Sequence, residues 1–380
     1  MNHEVAVLPG DGIGPEVIAE ARQVLDQVAR LTGFGLKWRE YPFGASYYLT
    51  HHQVLPPGAL TELGTAAALL LGAVGDPRVP PGPLEQELLL AIRFHFDQYL
   101  NLRPAKSLPH VPLPCPLPPG DNLDLVVVRE NTEDFYMSLG GTIDPATGPA
   151  TSAQLTAHRR LYDFAAQLEL QLTPPTPAAY SLGLLTEPGI RRVTRKALEL
   201  TQARGETTCH VASKANALPQ IYGFWDRVTD DEAKKFPALR LSRMNVDNLC
   251  YQLPREPQKF GVILCPNLFG DIVSDLVSAL AGGLGLAASA NIGDSLSMFE
   301  PVHGSAPDIA GTGRANPLAA ILSGALMLDH LGQGEAAKLV NQAVAAYLAA
   351  GERLPLELGG SARTAEVGEL VRQELERLCR

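Results

Sequence analysis

The strongest constraint on the fold is a pattern of uncharged apolar runs, each cut off by glycine and proline and followed by a helical period. Residues 4–14, EVAVLPGDGIG, read as a buried strand running into a glycine-rich loop. The next segment, PEVIAEARQVLDQVARL, places apolar residues at a 3.6 period and has proline at its start, which suits a helix. Residues 67–77 form a second continuous apolar run ending in Gly75 and Pro77. A strand that is apolar without alternation is buried on both faces, as in a parallel sheet covered by helices. LDLVVVREN (123–131) predicts a further strand, FGVILCPNLFGDIVSDLVSAL (260–280) a strand, turn and helix, and 83–96 and 315–350 helices. Strands alternating with helices specify an α/β protein. A chain of 380 residues is long enough for two or three domains. A proline-dense stretch, 104–119, with seven prolines, predicts a crossing or linker. The Gly-, Thr- and Ala-rich segment 137–160 predicts an arm or exposed hairpin. No internal repeat is present.

Composition matters here for what it excludes. The net charge of −10 argues against nucleic acid or a basic membrane-facing surface as the partner, though clustered arginines can still make a local anion pocket. Cys115, Cys209, Cys250, Cys265 and Cys379 are odd in number and include no C-x-x-C pair, which predicts a reducing cytoplasm and neither a disulfide frame nor a zinc site. The start of the chain has no basic region followed by a long apolar one, so no leader peptide is expected. The uncharged stretch 276–293 approaches a membrane span in length, but its four glycines and the flanking aspartates predict a buried helix followed by a loop.

Several residues sit where chemistry can be placed. Gly10, Gly12 and Gly14 resemble a dinucleotide loop, yet Pro15 occupies the third position that G-x-G-x-x-G requires, so the fingerprint fails. Asp271 and Asp275 are one turn apart on a predicted helix that follows a buried strand. Two carboxylates so placed repel unless a cation or a basic group lies between them, and such oxygen donors suit Mg²⁺ or Mn²⁺. The alternative is a solvated helix start favoured by the dipole. Arg93, Arg103 and Arg129 lie at or near element ends, where a guanidinium fork can take a carboxylate. Lys214 follows the short run CHVAS and can serve as a proton acceptor or as a solvated cation. The loop from His303 to Gly311 is made of small and polar residues that let a ligand approach the backbone.

Taken together, LPGDGIGPEV (8–17), FDQYLNLRPAK (96–106), VVRENTEDFY (127–136), SKAN (213–216), NLFGDIVSD (267–275) and FEPVHGSAPDIAG (299–311) resemble the metal-dependent β-decarboxylating dehydrogenases. That family comprises the isopropylmalate, isocitrate, homoisocitrate, tartrate and D-malate dehydrogenases. The resemblance implies an isopropylmalate dehydrogenase-like two-domain α/β fold with a mixed sheet flanked by helices. It implies a large domain of residues 1–99 and 252–380 that carries the NAD loop, and a small domain of 100–251 that forms a homodimer through the arm at about 137–160. It also implies NAD and Mg²⁺ or Mn²⁺ as cofactors, and a small 2-hydroxy di- or tricarboxylate as substrate. Carried over residue by residue, Arg93, Arg103 and Arg129 would hold carboxylates, Tyr136 and Lys214 would move protons, and Asp247 would reach the metal and lysine of the neighbouring subunit. Asp271 and Asp275 match the other metal aspartates. His303, Gly304, Ser305, Ala306, Asp308, Ile309 and Asn316 match the NAD loop and the adenine contact.

Within the family, two features bear on specificity. Asp308 and Ile309 stand where NADP-using relatives place Lys and Tyr, which favours NAD, whereas Arg314 stands where Ile is common. Leu90 and Leu89, three and four residues before Arg93, are expected to share its helical face. Two leucines suit an isopropyl group and leave a third carboxylate unpaired, so 3-isopropylmalate is the expected substrate. Tartrate or D-malate comes next, then homoisocitrate or isocitrate, and a non-catalytic regulatory homologue stands as the remote reading. Ser213 departs from the common DKAN, and Pro254 and Pro257 replace common non-prolines.

Overall fold

The computed structural model describes residues 2–115, 117–144, 146 and 150–380. The chain divides into two compact units, with elements numbered here along the whole chain. The terminal unit comprises Met1–Val127, Cys250–Phe260 and Val273–Arg380, and the middle unit comprises Val128–Leu249 and Gly261–Ile272. The first boundary lies at 127/128 and not at 99/100. The reason is that the strand Leu100–Lys106, which includes Pro104, pairs into the sheet of the terminal unit instead of leaving it as a linker.

In the terminal unit the strands are β1 (Asn2–Gly10), β2 (Gly35–Glu40), β3 (Ala68–Ala73), β4 (Leu100–Lys106), the start of β5 (Asp124–Glu130), β13 (Ala288–Ile292) and β14 (Met298–Pro301). They lie in the order β5-β4-β13-β14-β3-β1-β2. β2, β1, β3 and β14 run parallel to their neighbours in this series, while β13 is antiparallel to both β14 and β4. The helices are α1 (Gly14–Thr32), α2 (Ala45–His51), α3 (Ala59–Leu63), α4 (Ala91–His95), α9 (Leu318–His330), α10 (Gly334–Ala350) and α11 (Thr364–Leu378). The apolar runs split by parity between two cores. Val5, Val7, Ala68 and Leu70 face α1, α9, α10 and α11, whereas Ala6, Leu8, Leu69 and Leu71 face Leu63, Leu84, Leu88 and Ile92. A sheet covered on both faces buries every side chain of a strand, which is why these runs show no alternation. β13 lies within the stretch expected to be a helix and then a loop. Its short Ala-Ser-Ala-Asn run has no apolar signature, and its pairing with β14 and β4 makes it a strand.

In the middle unit β5 continues, followed by β6 (Gly140–Ile143), β7 (Ala150–Arg159), β8 (Tyr162–Gln171), β9 (Ala178–Ser181), α5 (Glu187–Ala203), β10 (Thr208–Ser213), α6 (Ile221–Ala233), β11 (Arg240–Asn245), α7 (Val246–Gln252) and β12 (Val262–Cys265). The order here is β5-β12-β10-β11, with β10 parallel to both β12 and β11. Helix α8 (Asn267–Leu280) begins in this unit and ends in the other. The segment at 137–160 contains β6 and β7. β7 pairs antiparallel with β8 from Ala150↔Gln171 to Arg159↔Tyr162, so the hairpin extends beyond 160. Residues 145 and 147–149 of that segment, and Pro116 of the proline-dense stretch, lie outside the described residues. Along β8, half-buried and exposed residues alternate, as on a two-stranded ribbon, and Tyr162, Phe164 and Leu168 pack with Leu155 of β7 against Met137 and Leu139.

Candidate active site

Helix α8 carries the paired acids, and its first turn is shaped by Arg129. This arginine ends the apolar part of β5 and is 1% exposed. Its Nε donates to the Asn267 carbonyl at 3.0 Å and to Asn267 Oδ1 at 2.9 Å, and its Nη1 donates to Asp271 Oδ1 at 2.5 Å. The stem of Arg129 passes against Gly270, where a Cβ would stand 2.5 Å from Arg129 Cγ. The glycine of the G-D pair therefore lets a buried guanidinium reach the acid beside it. Tyr136 donates its hydroxyl to Asp271 Oδ2 at 2.6 Å, with the Arg129 guanidinium carbon 4.9 Å from the centre of its ring. Asp271 is thus bracketed by a cation on one oxygen and a phenol on the other.

One turn on, Asp275 is exposed over 59% of its side chain, and Arg103 Nη1 lies 3.3 Å from its Oδ1. The same nitrogen donates to Ser274 Oγ at 2.7 Å, and Arg103 Nε donates to Asn101 Oδ1 at 2.9 Å. Two hard-oxygen donors on one helix face, each steadied by an arginine, have the chemistry to hold Mg²⁺ or Mn²⁺. Among the described residues no three acidic, His or Cys side chains of the chain converge as a metal cluster.

Lys214 follows β10, and Asp247 opens α7. Lys214 Nζ lies 2.9 Å from Asp247 Oδ1, and this pairing holds the Asp247 carboxyl below the usual range. The resemblance implied that Asp247 reaches a neighbour's lysine. Here it pairs with Lys214 of its own chain, so the two are presented together. Ser213 keeps the turn that precedes the lysine. Its hydroxyl donates to Asp226 Oδ2 at 3.0 Å and accepts from the Ala215 amide at 3.2 Å.

Two cavities of the terminal unit are lined by residues that the sequence singled out. The smaller, of about 160 Å³, is lined by Arg93, Arg103, Leu89, Val74, Ser289, Glu300, His303 and Gly304. Arg93 Nη2 lies 3.2 Å from Glu300 Oε1, which also accepts from Asn291 at 2.7 Å. Leu90 is not among the lining residues, although it shared a face with Arg93 in the sequence reading. Residues Glu85–Leu90 form a π-helical turn, and Leu89, at its end, lines the cavity.

The larger cleft, of about 300 Å³, is lined by His303, Ile309, Arg314, Ala315 and Asn316, and by Ile13, Leu284, Gly285, Leu356 and Glu357. The last five were not foreseen; Ile13 belongs to the loop whose glycine count failed. That loop is bound to the 303–311 loop. The Ile13 amide donates to the Ser305 carbonyl at 2.8 Å, and a Cβ at Gly12 would stand 1.9 Å from that same oxygen. Gly12 has φ +57°. Glu357 accepts from Asn316 Nδ2 at 2.9 Å and from the Gly285 amide at 3.1 Å, fixing the asparagine. Gly304 borders the smaller cavity, and Ser305 is held by the loop contact, whereas Ala306 takes φ +38° and Asp308 is exposed outside both cavities. His303 lines both cavities. Its Nδ1 lies 3.0 Å from the Gly304 carbonyl, burial lowers its pKa, and its Nε2 is buried without a partner. An apolar cleft with a fixed amide and an unsatisfied ring nitrogen fits a purine and its ribose.

The fold is that of an α/β protein with a large mixed sheet flanked by helices. The family model for isocitrate/isopropylmalate dehydrogenase matches residues 4–371, and the chain belongs to that family of oxidatively decarboxylating dehydrogenases. It is 40% identical over 378 residues to the 3-isopropylmalate dehydrogenase of Thermobifida fusca, covering 98% of this chain and 97% of that one. It is 41% identical over 373 residues to that of Nocardia farcinica, covering 97% and 98%. Among solved structures it resembles isocitrate dehydrogenase from Methylococcus capsulatus, with TM-score 0.83 and 30% identity over 98% and 99% of the two chains. It also resembles a β-decarboxylating dehydrogenase from Thermococcus kodakarensis, with TM-score 0.75 and 35% identity over 99% and 97%. No helix among the described residues is long and apolar enough to cross a membrane.

Proposed function

We propose that this chain oxidises and decarboxylates 3-isopropylmalate, using NAD and Mg²⁺ or Mn²⁺, as a cytoplasmic homodimer. The observation that carries the substrate reading is the cavity in which Leu89 and Val74 lie beside Arg93 and Arg103. The arginines suit a malate carboxylate, and the apolar pair suits an isopropyl group, whose burial is worth about 1.5–3 kcal/mol. A third carboxylate against the same leucine and valine would be left without a cation, at a cost of several kcal/mol. The names of the curated relatives support the same choice. The odd number of cysteines, with no C-x-x-C pair, is in keeping with a reducing compartment.

When bound, NAD accepts the C2 hydride and the divalent cation polarises the C2 oxygen. Asp271 and Asp275, with Asp247, are the donors that would hold the cation, and His303 and Asn316 would hold the adenosine. Arg93, Arg103 and Arg129 orient the substrate carboxylates. Lys214, steadied by Asp247, takes the hydroxyl proton as the hydride leaves C2. The C3–carboxylate bond then breaks, CO₂ departs, and its electron pair passes into an enolate. Tyr136, which already directs a proton at the site, delivers it to C3. The test is kcat/KM measured side by side on 3-isopropylmalate, D-malate, tartrate, isocitrate and homoisocitrate. 3-Isopropylmalate should lead, and Leu89→Arg should lower its kcat/KM while raising that of homoisocitrate. Faster turnover of either tricarboxylate by the wild type would overturn the substrate assignment.

A further inference from the structure

Ser213 stands where DKAN would place an aspartate, directly before the lysine whose amine has to be held at one point. The residues on either side of Lys214 are tied by a single oxygen. Ser213 is 1% exposed, and its Oγ accepts from the Ala215 amide at 3.2 Å, closing a turn with Lys214 at its tip. An aspartate closes such a turn with a charged oxygen, whereas a serine hydroxyl closes it more weakly. The missing charge comes from α6. Asp226 Oδ2 accepts the Ser213 hydroxyl at 3.0 Å, which commits the proton to the acid and leaves a lone pair for the Ala215 amide.

Asp226 is fixed in turn by β11. Arg243 Nε lies 2.9 Å from Asp226 Oδ1, and Arg243 Nη2 donates to the Asp226 carbonyl at 3.1 Å, to Thr229 Oγ1 at 3.0 Å and to Asp230 Oδ1 at 2.8 Å. Burial raises the Asp226 carboxyl and Arg243 opposes the rise. β11 then leads into α7, where Asp247 meets the lysine amine. One strand therefore both clamps Asp226 and delivers the acid that pairs with Lys214.

We propose that Asp226 is a positioning residue for Lys214: acting through the Ser213 hydroxyl, it holds the Ser213–Ala215 turn and so the amine, the task that an aspartate at 213 would perform directly. This rests on Lys214 as the proton acceptor of the proposed reaction. A hydroxyl that donates to a carboxylate makes a stronger bond than one between neutral groups, and its oxygen becomes a better acceptor for the amide.

The experiment compares the wild type with Asp226→Asn, Ser213→Asp, the double variant Ser213→Asp/Asp226→Asn, and Lys214→Ala. kcat and KM are measured on the best of the five acids named above, Tm by calorimetry, and exchange of the Ala215 amide by NMR on the protein without nucleotide or cation. Asp226→Asn keeps the shape and removes the charge, so kcat should fall about tenfold with KM within about threefold, and the Ala215 amide should exchange about tenfold faster. Ser213→Asp sets a second acid against Asp226, so kcat should again fall about tenfold and Tm should drop. The double variant moves the one charge from 226 to 213 and should regain kcat and amide protection to within about threefold of wild type, where independent losses would multiply. Wild-type kcat and exchange in Asp226→Asn, with Lys214→Ala inactive, overturn the proposal and leave the reaction standing. A double variant no better than the single ones assigns Asp226 to packing alone and overturns it too. Activity near wild type in Lys214→Ala overturns the proton role of the lysine, and the proposal with it.

Discussion

Two side chains at the acid pair make opposite demands. Gly270 is required by space: adding one methyl group places carbon 2.5 Å from the stem of a buried arginine. Gly270→Ala should cost about 1–3 kcal/mol by overpacking, lower Tm, and displace Arg129 from Asp271, so that kcat falls as well. A variant with wild-type Tm and kcat would show that the stem of Arg129 moves aside freely. Tyr136 is required for its proton. Tyr136→Phe keeps the ring under the Arg129 guanidinium and removes only the hydroxyl, so Tm should change little. kcat should fall about 10²–10⁴-fold with KM nearly constant, the range expected for loss of a general acid. A kcat within tenfold of wild type would remove Tyr136 from the proton path. The identity of these residues was legible in the sequence, because a tyrosine or aspartate in a long family motif keeps its place. What Gly270 does was not, because its partner lies 141 positions away along the chain and meets it only through the pairing of β5 with β12.

At the scale of elements, the end of β5 holds an acid that no substrate role explains. Glu130 is completely buried, accepts from the Thr132 amide and hydroxyl and from the Glu133 amide, and has its carboxyl pushed up to about 7 by burial and by Glu133. Glu133 is itself raised by burial and bound by Thr186. A carboxyl raised in the folded state binds a proton more tightly there than in the unfolded chain, where glutamate titrates near ~4.3. Its contribution is therefore fully present below about 4.3 and is lost as pH rises towards about 7. Tm of the wild type should fall between pH 5 and 7.5, and Glu130→Gln should flatten that slope. An unchanged slope in the variant would place the titration elsewhere. The π-helical turn at Glu85–Leu90 shows how an element can escape the sequence: residues 83–96 carry helical periodicity, and that pattern does not announce the wide turn within it.

For the whole molecule, the Lys214–Asp247 pairing within one chain makes a statement about assembly testable. If each site takes Lys214 and Asp247 from one subunit and Asp271 and Asp275 from the other, Lys214→Ala and Asp271→Asn homodimers should both be inactive. Mixing and reassociating them should restore about a quarter of wild-type activity, because half the dimers are then mixed and each has one intact site. No recovery would mean that each chain completes its own site. EDTA should abolish turnover and Mn²⁺ or Mg²⁺ restore it, while the circular dichroism spectrum stays the same. Full activity in EDTA would remove the role given to Asp271 and Asp275.

The sequence by itself determined the α/β class, the parallel core strands, the acid pair one turn apart and the glycine-rich loop that is no dinucleotide fingerprint. Each of these depends on neighbours within a few positions, and hydrophobic period, proline and glycine report them locally. Only the tertiary structure decided that β13 is a strand, that Ile13, Leu284, Leu356 and Glu357 line one cleft, and that Leu89 lines a cavity with Arg93. It also decided that Asp226 takes the hydroxyl of the serine before Lys214. Such contacts join residues up to about 340 positions apart, such as Ile13 and Glu357, and arise when packed elements bury their apolar faces together, a long-range event that local periodicity does not encode.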